Sequence, residues 1–88
     1  MKDLLRASSK SDPAKLGGAI ANVIRKNGIA EVDCLGAGPV NQALKSVAAA
    51  RSYLASEGVE VICYPSFVIQ DIDDGRSRTT MRLIIEIR

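Results

Sequence analysis

The chain has 88 residues, 47% of them hydrophobic and 25% charged, with a formal net charge of +2 and no histidine. That length supports one small core, because either half alone would bury too little surface to fold. It holds no run of about 18 apolar residues, which excludes a membrane-spanning helix, and the lack of histidine removes imidazole acid–base chemistry and most zinc patterns.

Met1-Lys2-Asp3-Leu4-Leu5-Arg6 carries charge too early for a signal peptide, so the expected location is the cytoplasm. Leu4 to Ala7 reads as a short strand, followed by the polar loop Ser8-Ser9-Lys10-Ser11-Asp12-Pro13. Ser11 or Asp12 can cap a helix there, and Pro13 suits its first position because the missing N–H has no partner to lose. Leu16, Ala19, Ile20, Val23 and Ile24 recur at helical spacing, and Asn27-Gly28 ends the helix. Gly17-Gly18 inside it costs about 1 kcal/mol per residue relative to alanine, which points to close backbone approach to the sheet or to another subunit.

Ile29 to Leu35 alternates, with Ala30, Val32 and Cys34 on one face and Glu31 and Asp33 on the other, as a strand with one buried face does. A second helix is predicted from about Val40 to Ser56, with Val40, Leu44, Val47 and Leu54 as its apolar stripe. Val59 to Ile72 forms a long strand that contains Pro65, which argues for a sheet edge or a bulge. Asp73-Asp74-Gly75 is a hairpin turn signal. From Arg76 to Arg88, Met81, Leu83, Ile85 and Ile87 face inward while Arg78, Thr80, Arg82, Ile84 and Glu86 face outward. The order is βαβαββ, and its compact solution is an α+β fold of one domain, with two helices on one face of a four-stranded mixed sheet.

Between the second strand and the second helix runs Leu35-Gly36-Ala37-Gly38-Pro39-Val40-Asn41-Gln42, which opens like a phosphate-binding loop. The dinucleotide pattern fails: Asn41 stands where a third glycine is needed, and Glu60 begins a strand rather than ending one. Pro39 removes an N–H that an anion would use, and no Gly-Lys-Ser/Thr follows. The loop is therefore a tight strand-to-helix turn in which glycines supply unusual backbone angles and Pro39 starts the helix. Cys34 and Cys63 both fall inside apolar strand runs and are expected to be buried, unbridged thiols.

Three motifs together resemble the stage V sporulation protein S family over nearly the whole chain. They are Ser8-Ser9-Lys10-Ser11, Gly-Ala-Gly-x-x-Asn-Gln-Ala-x-Lys across residues 36–45, and Ala48-x-Ala50-Arg51-x-Tyr53. That family is similar in fold to the Alba group of archaeal chromatin and RNA-binding proteins. The resemblance implies a sheet order of 1-2-4-3 and a homodimer. It also implies nucleic-acid binding through the loop after the first strand and the hairpin between the last two, in sporulation or developmental regulation. Three features depart from the Alba pattern: Ser11 and Asp12 stand in place of a lysine pair, residues 36–42 hold no arginine, and the hairpin sets Asp71, Asp73 and Asp74 beside Arg76 and Arg78.

On this basis the candidate nucleic-acid contacts are Ser8, Ser9, Lys10, Ser11 and Lys15 around the first helix start. Asn41, Gln42 and Lys45 add to them from the second helix, and Arg76 and Arg78 from the hairpin. Phosphate contacts carry no base information, so the expected partner is DNA or RNA without sequence preference. Arg78 and Arg82 could instead pair with Glu31 and Asp33 across neighbouring strands. Ala48, Ala49 and Ser52 are the expected dimer contact, since small side chains let helices approach. No nucleophile–base pair or metal set can be assembled, so no catalysis, metal, cofactor or small-molecule substrate is expected. The competing expectation is a protein-interaction module in developmental regulation that leaves nucleic acid alone. Near-neutral charge and only three aromatic side chains, two Tyr and one Phe, favour it.

Overall fold

A computed structural model of the chain describes residues 3–71 and 75–88. In chain order the elements are β1 (Leu4–Arg6), α1 (Pro13–Asn27), β2 (Ile29–Cys34), α2 (Ala37–Ala55), β3 (Val61–Asp71) and β4 (Ser77–Ile87). The sheet order is β1-β2-β4-β3, with β1 parallel to β2 and the other two pairs antiparallel. The βαβαββ order is the one read along the sequence, and the strand arrangement is the one the family resemblance implied.

Local chemistry accounts for the helix ends. Asp12 is the N-cap of α1, and its carboxylate accepts the Ala14 N–H at 2.9 Å, with Pro13 in the first helical position. Gly28 closes the helix at φ 79°, its N–H donating to the Ile24 carbonyl at 2.7 Å. Arg25 and Lys26 in the last turn complement the negative end of the helix dipole. The start of α2 differs from the sequence expectation. It begins at Ala37, ahead of Pro39, because Gly36 at φ 99° makes the whole turn by itself and no side chain caps the helix.

The core lies on one face of the sheet. The register sets Ala30 opposite Ile85, Val32 opposite Leu83 and Cys34 opposite Met81. Against this layer α1 packs Ile20, Ala21 and Ile24, and α2 packs Ala43, Val47, Ala50 and Leu54, all within one cluster. Leu44, expected in the stripe of α2, is half exposed, because the helix turns its alanines rather than Leu44 toward the sheet. The Gly17 approach is also relocated. A Cβ there would lie 2.7 Å from Ala49 Cβ and 2.8 Å from the Ser46 carbonyl, so the glycine admits α2 rather than the sheet, while Gly18 has open space around it.

Pro65 sits in β3, which forms one edge of the sheet, as its missing N–H requires. The helices stop short of that edge. Phe67 is 73% and Ile69 71% exposed although both stand on the helix side of the sheet, in register with Met81 and Thr79. Cys63 is exposed for the same reason, which corrects the expectation that both cysteines are buried; Cys34 is buried and its thiol donates to the Met81 carbonyl at 3.5 Å. On the open face, Arg82 pairs with Asp33 through two hydrogen bonds of 2.6 and 2.9 Å. Arg78 instead donates to Gln70 Oε1 at 3.3 Å. Asp73 and Asp74 of the expected turn lie outside the described residues, and Gly75 has φ 84°.

Candidate nucleic-acid interface

The strand arrangement brings three segments to one end of the sheet. β1 and β2 run parallel, with Arg6 beside Asp33 at their C-terminal ends, so the loops leaving both strands emerge side by side. β4 enters from that same end, because Cys34 pairs with Met81 and residues 77–80 extend beyond it. Crevices beyond the carboxyl ends of parallel strands are where α/β sheets commonly hold ligands.

The serines of the first loop organise it. The Ser8 N–H donates to Ser11 Oγ at 2.9 Å, the Lys10 N–H to Ser8 Oγ at 3.2 Å, and the Ser11 N–H to the Ser8 carbonyl at 3.1 Å. Both hydroxyls act as acceptors toward these amides, which leaves their protons for an outside oxygen or for the 3.5 Å contact between them. The tight loop holds the Lys10 ammonium in solvent; Lys15, in the first turn of α1, is exposed as well. Among the described residues, Lys10, Lys15 and Lys45 have no ion-pair partner.

The second segment is fastened to the first. Gln42 Nε2 donates to the Ser11 carbonyl at 2.7 Å, and a Cβ on Gly38 would come within 3.0 Å of Ser9 Cβ. These contacts explain both the second glycine of the turn and the glutamine: Gly38 admits the serine loop, and Gln42 ties loop to helix. Gln42 is thus a positioning residue, its amide group taken up inside the protein, whereas Asn41 beside it is exposed. Lys45 is not at the helix start. With α2 beginning at Ala37, it lies about 12 Å along the axis, so the structure does not gather it with Lys10.

Arg76 and Arg78, on the hairpin arm, are exposed and reach the same end from β4. The expected dimer residues divide. Ala49 faces α1 through Gly17, and Tyr53 OH donates to the Ala14 carbonyl at 3.4 Å on that same side of the helix. Ala48 and Ser52 lie on the other side, lining a groove with Arg51, Ala55 and residues 58–60. Sequence periodicity could not separate Ala48 from Ala49, since both are alanines next to a core stripe.

A four-stranded mixed sheet with two helices on one face, its serine–lysine loop, second helix start and hairpin arm meeting at one end, defines a two-layer α+β protein of βαβαββ order. Among the described residues, no helix is long and apolar enough to cross a membrane. A family model, Stage V sporulation protein S, matches residues 3–88, and the chain belongs to that family. Membership supports a sporulation-related role.

Proposed function

We propose that the protein is a non-catalytic nucleic-acid-binding regulator of sporulation or development that works in the cytoplasm as a homodimer. The observation that carries this reading is the convergence of three chain segments on one end of the sheet. The Ser8–Ser11 loop with Lys10, the α2 start with Asn41, and the arm with Arg76 and Arg78 meet there. Lys10 and Lys15, with no acidic partner among the described residues, contact phosphates electrostatically, and the Ser8, Ser9 and Ser11 hydroxyls add hydrogen bonds. With these few cations the binding is weak and independent of sequence.

The test is a titration of labelled DNA and RNA at two salt concentrations, with Lys10→Ala and Lys15→Ala beside the unaltered chain. The expected result is micromolar or weaker binding with a shallow salt slope, on the order of 2 to 4 ions released, reduced by about one ion in each variant. Failure to bind either polymer at low salt would replace this reading with that of a protein-interaction module.

The homodimer rests on the uncovered part of the sheet. Leu44 on α2 is half exposed, and Cys63, Phe67 and Ile69 stand exposed on the helix side of β3. Exposed apolar side chains on the face that helices cover elsewhere suit an interaction site, and a two-fold axis lets one such strand face cover its twin.

A further inference from the structure

We propose that a notch on the open face of the sheet, opposite the helices, binds a phosphate group. The notch, of about 120 Å³, lies where β2 ends and the β3–β4 arm runs on, and Arg6, Asp33, Gln70, Arg78 and Thr80 line it. The register explains why these residues meet. Arg6 stands opposite Asp33 and Gln70 opposite Arg78, all on the face that also carries Thr80.

Three observations give the notch its chemistry. Thr80 is only 4% exposed, and its hydroxyl is the one buried side-chain polar atom among the described residues without a hydrogen-bond partner. Such a group destabilises a fold unless something bonds to it. Arg6 has no ion pair among the described residues, and Arg78 bonds only the neutral Gln70 amide. The one carboxylate in the notch, Asp33, already has both oxygens on Arg82, so the wall keeps a net positive charge. Two guanidinium forks and a hydroxyl donor suit a tetrahedral oxyanion, whose several oxygens can accept from all three at once. A cation is repelled by the arginines, and a doubly charged tetrahedral oxyanion gains more from two guanidinium groups than a singly charged carboxylate does.

The inference goes beyond the lysine-based reading above and does not need it, since Arg78 is the only residue that the two share. The ligand group belongs either to free phosphate or to a nucleic-acid backbone, and the experiment separates these sources. Amide NMR spectra of the labelled protein are followed during titration with inorganic phosphate, then with a short oligonucleotide, with sodium chloride at matched ionic strength as control. Saturable shifts at Ala7, Leu35 and Thr80 are expected with phosphate and not with chloride. Arg6→Gln and Arg78→Gln should each weaken binding about 10-fold. Thr80→Val, which loses no existing hydrogen bond, should weaken it a few-fold without lowering stability. If the oligonucleotide moves the same amides and phosphate competes with it, the natural ligand is the backbone; if only phosphate moves them, it is the free ion, and either outcome supports the notch. Shifts that chloride reproduces, or that persist unchanged in both arginine variants, would overturn it. Oligonucleotide binding that depends on Lys10 but leaves the notch amides still, with no phosphate effect, would overturn the notch while sparing the lysine site.

Discussion

Cys34 and Cys63 stand on the same face of the sheet and have opposite surroundings. Alternation along β2 placed Cys34 on the inner face, and an apolar run suggested the same burial for Cys63; neither signal reports how far the helix layer extends over that face. The helix layer covers Cys34 and leaves Cys63 open. Burial pushes the Cys34 thiol up from its ordinary range, with Asp33 adding to the effect, and partial desolvation against the sheet raises the more open Cys63 as well, with Cys34 adding to it. A raised pKa lowers the thiolate fraction at neutral pH, and the thiolate is the form that reacts. One thiol per chain, Cys63, should therefore label in the native state, faster as pH rises into the alkaline range, and Cys34 only after unfolding. Peptide mapping of labelled protein checks the assignment. If the β3 face is the dimer contact, labelling of Cys63 should also slow as protein concentration increases.

Each helix carries one decision that its sequence hides. In α1 the pair Gly17-Gly18 reads as two equal weaknesses, yet only Gly17 meets the neighbouring helix. Gly17→Ala should lower stability by about 1–3 kcal/mol through overpacking against Ala49 and the Ser46 carbonyl. Gly18→Ala should raise it by up to about 1 kcal/mol, because helix propensity improves and nothing obstructs the new methyl. Denaturant unfolding of the two variants measures both, and equal effects would mean that the α1–α2 packing is misassigned. The cap of α1 was legible because Asp12 and Pro13 are side-chain signals. The start of α2 was misread because its signal is the backbone angle of Gly36, and the proline that looked like a first residue sits inside the first turn. Gln42 was legible as polar but not as a tie, since its partner Ser11 is 31 positions away.

At the scale of the whole molecule, element order and strand pairing followed from periodicity, turn residues and one family resemblance, and Pro65 correctly marked an edge. The phosphate notch was not legible, because Arg6, Arg78 and Thr80 come from strands that only the sheet register aligns. The uncovered strip of β3 was equally hidden. It leads to a test of assembly: Phe67→Glu should shift a dimer toward monomer in sedimentation without disturbing the fold, as Phe67 is 73% exposed. Ala49→Glu should instead unfold the chain, since that position abuts α1. A dimer that survives Phe67→Glu and Ala48→Glu together would move the contact elsewhere. The strand order has one more effect, on how the chain comes to be folded at all. β2 is flanked by β1 and by β4, and its bonds to β4 join residues such as Asp33 and Arg82 that are 49 positions apart. Closing so long a loop precedes any gain from the contact, which slows folding. Until β4 is made, β2 lacks its antiparallel neighbour and β3 has no neighbour at all. A chain cut short before β4 should therefore be degraded by protease far faster than one that includes it, which limited proteolysis of the two checks.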